Sequence, residues 1–103
     1  MDKTINPFVA ASSGVKTGAV AIDTGGGYLT GVLVNTDGTN PATVILYDSL
    51  GASGTKVYQG GCAGATRHLP FAPAIPIKYD TGLYLDISGT GASCLIHYAS
   101  KRD

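Results

Sequence analysis

The chain is predicted to be all-β: a single compact antiparallel β-sandwich, with the jelly roll as its candidate form, preceded by an extended N-terminal arm. Three observations predict this. Short runs rich in β-branched and aromatic residues recur between glycine-rich turns along the whole length. No stretch carries the apolar spacing of an amphipathic helix. The 103 residues include no Glu and one glutamine, Gln59, so two straight-chain residues that favour helices are nearly absent. That length suits one domain, which buries about two-thirds of the surface its unfolded chain exposes.

Residues 1–18 read as the arm, because Asn6-Pro7 breaks regular structure and Ala11-Ser12-Ser13-Gly14 is small and permissive. The sandwich domain is then 19–103. A strand is predicted over 19–23, followed by a hairpin turn at Thr24-Gly25-Gly26-Gly27 and a longer strand over 28–35. Asp37-Gly38 supplies the positive φ of a tight hairpin and leads into a strand over 43–48. Gly51-Ala52-Ser53-Gly54 separates this from 55–59. Residues 60–73 read as the longest loop, with a short extended piece over 68–71. Residues 74–79 read as extended, and Pro76 confines them to an edge because proline lacks a ladder donor. Asp80-Thr81-Gly82 turns into a strand over 83–88, and Gly89-Thr90-Gly91 into the last, over 92–99. About seven or eight short strands at this spacing predict a sandwich.

Alternation sharpens the picture. In the run from Leu83 onward, Leu83, Leu85 and Ile87 share one face while Tyr84, Asp86 and Ser88 share the other, as a half-buried strand requires. Val32-Leu33-Val34, Val44-Ile45-Leu46 and Cys94-Leu95-Ile96 are continuous apolar triples instead. Each must turn at least one large apolar side chain away from a single core. Another subunit is the economical cover for those side chains, with the arm or the 60–73 loop as the alternative.

Charge and composition exclude several functions. Seven Asp balance seven Lys and Arg, and the basic residues are scattered, so the electrostatic footprint of a nucleic-acid binder is missing. No apolar run approaches the length that spans a bilayer, and the first residues lack the pattern of a secretory signal. A chain folding in the compartment of its synthesis is expected, with Cys62 and Cys94 as free thiols.

Motifs for catalysis are near misses. Gly25-Gly26-Gly27 with Gly31 does not complete a dinucleotide fingerprint, and Gly54-Thr55-Lys56 lacks the order of a phosphate loop. Ser53 and Ser93 lack a nucleophile elbow. Cys62, Cys94, His68 and His97 have no metal-ligand spacing, so Cys94 is expected in the core and His97 packed and hydrogen-bonded. Asp37, Asp48, Asp80 and Asp86 suit turns or a wet strand face rather than a carboxylate pair. The expectation is a non-enzyme without metal or cofactor. The tyrosines are the better lead, since a tyrosine buries its ring while its hydroxyl stays wet. Tyr28, Tyr47, Tyr58, Tyr84 and Tyr98, with Phe8 on the arm, form the candidate interface set. A ladder of such rings also suits sugar stacking, so a carbohydrate-binding β-sandwich module is the competing class.

The segment Pro76-Ile77-Lys78-Tyr79-Asp80-Thr81-Gly82-Leu83-Tyr84-Leu85-Asp86-Ile87-Ser88-Gly89-Thr90-Gly91-Ala92, preceded by Thr43-Val44-Ile45-Leu46-Tyr47-Asp48 and a glycine-rich turn, resembles small virion proteins of tailed bacteriophages. The likeness runs over residues 27–98 and lies in turn and strand patterns. It leaves out the arm and the Cys62 loop. It implies a β-sandwich structural protein: a head decoration or cement subunit, or else a head-fibre, neck or tail-associated component. On that resemblance the expected partners are the major capsid protein or other virion proteins and two further copies in a homotrimer, with no nucleic acid and no membrane. The expected location is the capsid surface, after assembly in the host cytoplasm.

Overall fold

Alternating apolar residues need a facing layer, and this chain supplies one by dividing its strands between two sheets. A computed structural model describes residues 8–101. In chain order the strands are β1 (Phe8–Lys16), β2 (Val20–Thr24), β3 (Gly27–Asn35), β4 (Ala42–Asp48), β5 (Thr55–Cys62), β6 (His68–Phe71), β7 (Ile77–Tyr79), β8 (Gly82–Ser88) and β9 (Ser93–Lys101), with one 3₁₀ turn at Gly64–Thr66. Sheet A runs β1-β9-β3-β6, with β7 also on β3; sheet B runs β2-β8-β4-β5, and every pairing is antiparallel.

The core lies between the sheets. Leu29, Val32, Val34, Cys94 and Ile96 come from sheet A and meet Val44, Leu46, Leu83, Leu85 and Ile87 from sheet B. Leu83, Leu85 and Ile87 point inward as their alternation predicts, and Tyr84, Asp86 and Ser88 point outward. The two flanks differ. Tyr58 of β5 and Phe71 of β6 close one, with ring centroids 4.8 Å apart and planes tilted by 37°. At the other, the inward-facing Val9 and Ala11 of β1 border an open groove with Tyr98 and Ser100.

Four expectations change. Residues 8–16 of the expected arm form an edge strand against β9; residues 1–7 lie outside the described residues. Small residues permitted this, because Ser13 and Gly14 make a bulge in which Ser13 Oγ accepts the Ile96 N–H at 2.9 Å, and Gly14 takes a φ of 71°. The turns at Gly25 and Asp37-Gly38 are not hairpins, since β2 and β4 lie in sheet B and β3 in sheet A. The Gly89-Thr90-Gly91 turn likewise crosses from sheet B to sheet A. Positive φ at Gly25, Gly38, Gly89 and Gly91 serves crossings as well as hairpins. The 60–73 loop is also shorter than expected, because β5 runs on to Cys62.

Side-chain hydrogen bonds brace these crossings, from carboxylates that are half-buried. Asp48 accepts the backbone N–H groups of Asp80 and Thr81 at 3.0 and 2.7 Å, tying the β7–β8 turn to the end of β4. Tyr79, wholly buried, donates its hydroxyl to Asp23 Oδ2 at 2.6 Å, and Ser100 Oγ donates to Oδ1 at 3.1 Å. Gly27 is needed above that ring: a Cβ there would stand 2.5 Å from both the Tyr79 hydroxyl and the Ala99 carbonyl.

Candidate interaction surface

The three apolar triples each send their middle residue outward. Leu33, Ile45 and Leu95 are half-buried, while Val32, Val34, Val44, Leu46, Cys94 and Ile96 are buried. Register then gathers two of the three. Leu33 of β3 pairs with Leu95 of β9, Leu95 with Val15 of β1, and Leu33 with Pro70 of β6. An apolar row therefore crosses β1, β9, β3 and β6 on the outer face of sheet A. Val15 is 66% exposed at its end.

The next row, Ser12–His97–Gly31, leaves a dip because glycine has no side chain. Leu33, Pro70, Ala72, Leu95 and His97 line the resulting groove, which holds about 270 Å³. Tyr28, Ile75, Pro76 and Ala99 extend the apolar surface beyond Thr30, with Ile75 80% exposed. These rows carry no carboxylate. The alternative cover, by the arm or the 60–73 loop, is not seen among the described residues: residues 8–16 and 68–71 are β1 and β6, strands of the same sheet that contribute to the row instead of lying over it.

Sheet B presents a different outer face. Tyr47 pairs with Tyr84 and with Lys56, and Ile45 pairs with Asp86 and Gln59. Polar groups thus interrupt the apolar ones at each step.

The candidate interface set divides between faces and core. Tyr28 lies on the outer face of sheet A, and Tyr47 and Tyr84 lie on that of sheet B. Tyr58 and Tyr98 point inward: Tyr58 packs on Phe71, and the Tyr98 hydroxyl reaches the Ile22 carbonyl at 3.5 Å. Burial, and for Tyr98 also the nearby Asp23, pushes both phenols above the ordinary range. Phe8 begins β1 in register with Lys101. The tyrosine list missed Leu33, Leu95, Val15, Pro70 and Ile75. The continuous triples signal the first two, whereas the exposure of the others depends on strand order.

Among the described residues, reactive groups do not gather elsewhere. Both cysteines are free and buried, and burial pushes the Cys94 thiol up to about 11. His97 is exposed on the outer face of sheet A rather than packed, because alternation along β9 turns it away from the core. His68 Nδ1 lies 2.7 Å from Asn35 Oδ1. Asp37 accepts the backbone N–H groups of Asn40 and Thr39 at 2.8 Å each, which holds its carboxyl below the usual range. Among the described residues no three His, Cys, Asp or Glu side chains converge to hold a metal ion, and no helix is long and apolar enough to cross a membrane.

No family model, curated protein or solved structure matches the chain.

Proposed function

We propose that this chain is a structural subunit of a tailed-phage virion, a capsid decoration or cement protein that docks as a homotrimer on the outside of the shell and stabilises it. The observation that carries the reading is the apolar row Val15–Leu95–Leu33–Pro70 across the outer face of sheet A. A cement protein works by adding buried area between shell subunits, and it needs no catalytic group to do so. The resemblance of residues 76–92 to small virion proteins supports the same class. The strand orders β1-β9-β3-β6 and β2-β8-β4-β5 support the jelly-roll form of the sandwich, with β7 as an addition on β3.

The test is the copy number and position of the chain in purified particles by cryo-electron microscopy. Hundreds of copies at three-fold positions on the shell are expected. A few copies at the portal vertex or tail would move the chain to the neck or tail class. The Tyr47–Tyr84 pair beside Asp86 and Gln59 favours a second reading, a carbohydrate-binding module. Absence from every particle, together with retention on a glycan array that Tyr84→Ala abolishes, would establish that reading instead.

A further inference from the structure

An edge strand stays in place through its ladder, through its side chains in the core, or through both. β1 has the ladder alone. Among the described residues its one strand partner is β9, and from residue 9 to residue 16 none of its side chains belongs to the core or to the half-buried group packed against it. Cys94 and Ile96 of β9 are wholly buried with β1 in place, and the core cluster they join contains no side chain from residues 9–16. On the flank where β1 lies, the space between the sheets stays open, and inward-facing Val9 remains 37% exposed. The opposite flank is shut by Tyr58 and Phe71.

The connection to β2 is equally loose. Thr17, Gly18 and Ala19 must carry the chain from sheet A to sheet B, and all three are exposed. A Cβ on Gly18 would meet nothing within 4 Å. Straightened, three residues reach roughly 10 Å, enough to carry a strand to a subunit in contact.

We propose that β1 is an exchanged strand: in the assembled protein, β1 of each chain pairs with β9 of a second copy, and three such exchanges close a ring. A second copy is the occupant because the strand whose register fits β9 is β1 itself. Its register runs from Phe8↔Lys101 to Lys16↔Cys94, bulge included, and the Ser13 Oγ bond to the Ile96 N–H transfers with it. Exchange leaves each of these bonds in place between chains. What changes is the hinge, so the cost is small and closure into a ring leaves no β9 edge open. The ring of three rests on the homotrimer proposed above; the exchange itself does not depend on a capsid.

Disulfide trapping reads which chain supplies the strand. In the full chain with Cys62→Ala and Cys94→Ala, one variant carries Ala10→Cys with Ala99→Cys and another carries Val9→Cys with Ser100→Cys. These are register partners in the two alternating phases of the ladder, so one pair or the other suits a disulfide. After mild oxidation, non-reducing electrophoresis is expected to show covalent species of three chain masses, in line with light scattering of the uncrosslinked protein. Crosslinked product confined to one chain mass would overturn the exchange. If light scattering still read three masses in that case, the trimer would survive without it. A single-chain mass by light scattering at every concentration would overturn both.

Discussion

Asp48 shows how one side chain can hold a crossing between sheets. Burial works against its ionisation, but the N–H groups of Asp80, Thr81 and Gly82 prevail and hold its carboxyl below the ordinary value of 3.8. Asp37 is lowered in the same direction by Asn40 and Thr39. A carboxyl depressed in the folded state adds stability above its unfolded pKa, and that stability is lost as pH falls through the folded value. The urea midpoint is therefore expected to be flat down to about pH 5 and to fall below about pH 4. Asp48→Ala should cost about 1–2 kcal/mol at pH 7 and flatten the acid limb, because the site is partly open to water. A titration curve of unchanged shape would remove Asp48 from the account. Tyr79→Phe leaves Asp23 without its shortest partner and should cost about 1–3 kcal/mol by urea unfolding. Gly27→Ala should cost about 1–3 kcal/mol, since the Ala99 carbonyl opposing the new Cβ is backbone and cannot swing aside.

Strands were legible in this chain because each is written locally, in β-branched runs and alternation. β6 falls on the predicted 68–71, and β8 places Leu83, Leu85 and Ile87 inward as read. Connections were not legible. Asp37-Gly38 specifies a positive φ, and a crossing between sheets satisfies that demand as well as a hairpin does. β1 was hidden for a related reason: Ala11-Ser12-Ser13-Gly14 has low strand propensity, and its pairing comes from the exposed edge of β9. Of the interaction surface, Leu33 and Leu95 were visible in their triples, but their meeting with Val15 and Pro70 is a property of strand order. Leu85→Ala tests the core assignment at this scale. Leu85 is wholly buried, so a loss of about 2–5 kcal/mol is expected, and an unchanged melting temperature would contradict it. Removing residues 1–13 takes no core residue among those described and should preserve the far-ultraviolet spectrum of the sandwich while weakening assembly.

For the whole molecule, the two outer faces should separate by mutation. Leu33→Lys sits in the middle of the sheet A row, where the lysine stem can lie along the surface and keep its charge in water. It should leave the mass by light scattering unchanged and reduce co-sedimentation with particles at least tenfold, whereas Thr43→Lys on sheet B should change neither. Equal binding by both variants would take the docking role away from sheet A. The place of β9 has a consequence of another kind. The last described strand lies in the middle of sheet A, between the first and the third. While the ribosome still holds residues 93–101, β1 has no partner and β3 lacks the neighbour on its long side. Sheet A is thus closed last, by a segment that must bridge most of the chain's length, and such distant pairing is slow. Until then β1 and one edge of β3 wait unpaired, and the yield of folded protein depends on how quickly residues 93–101 emerge and how crowded the surroundings are.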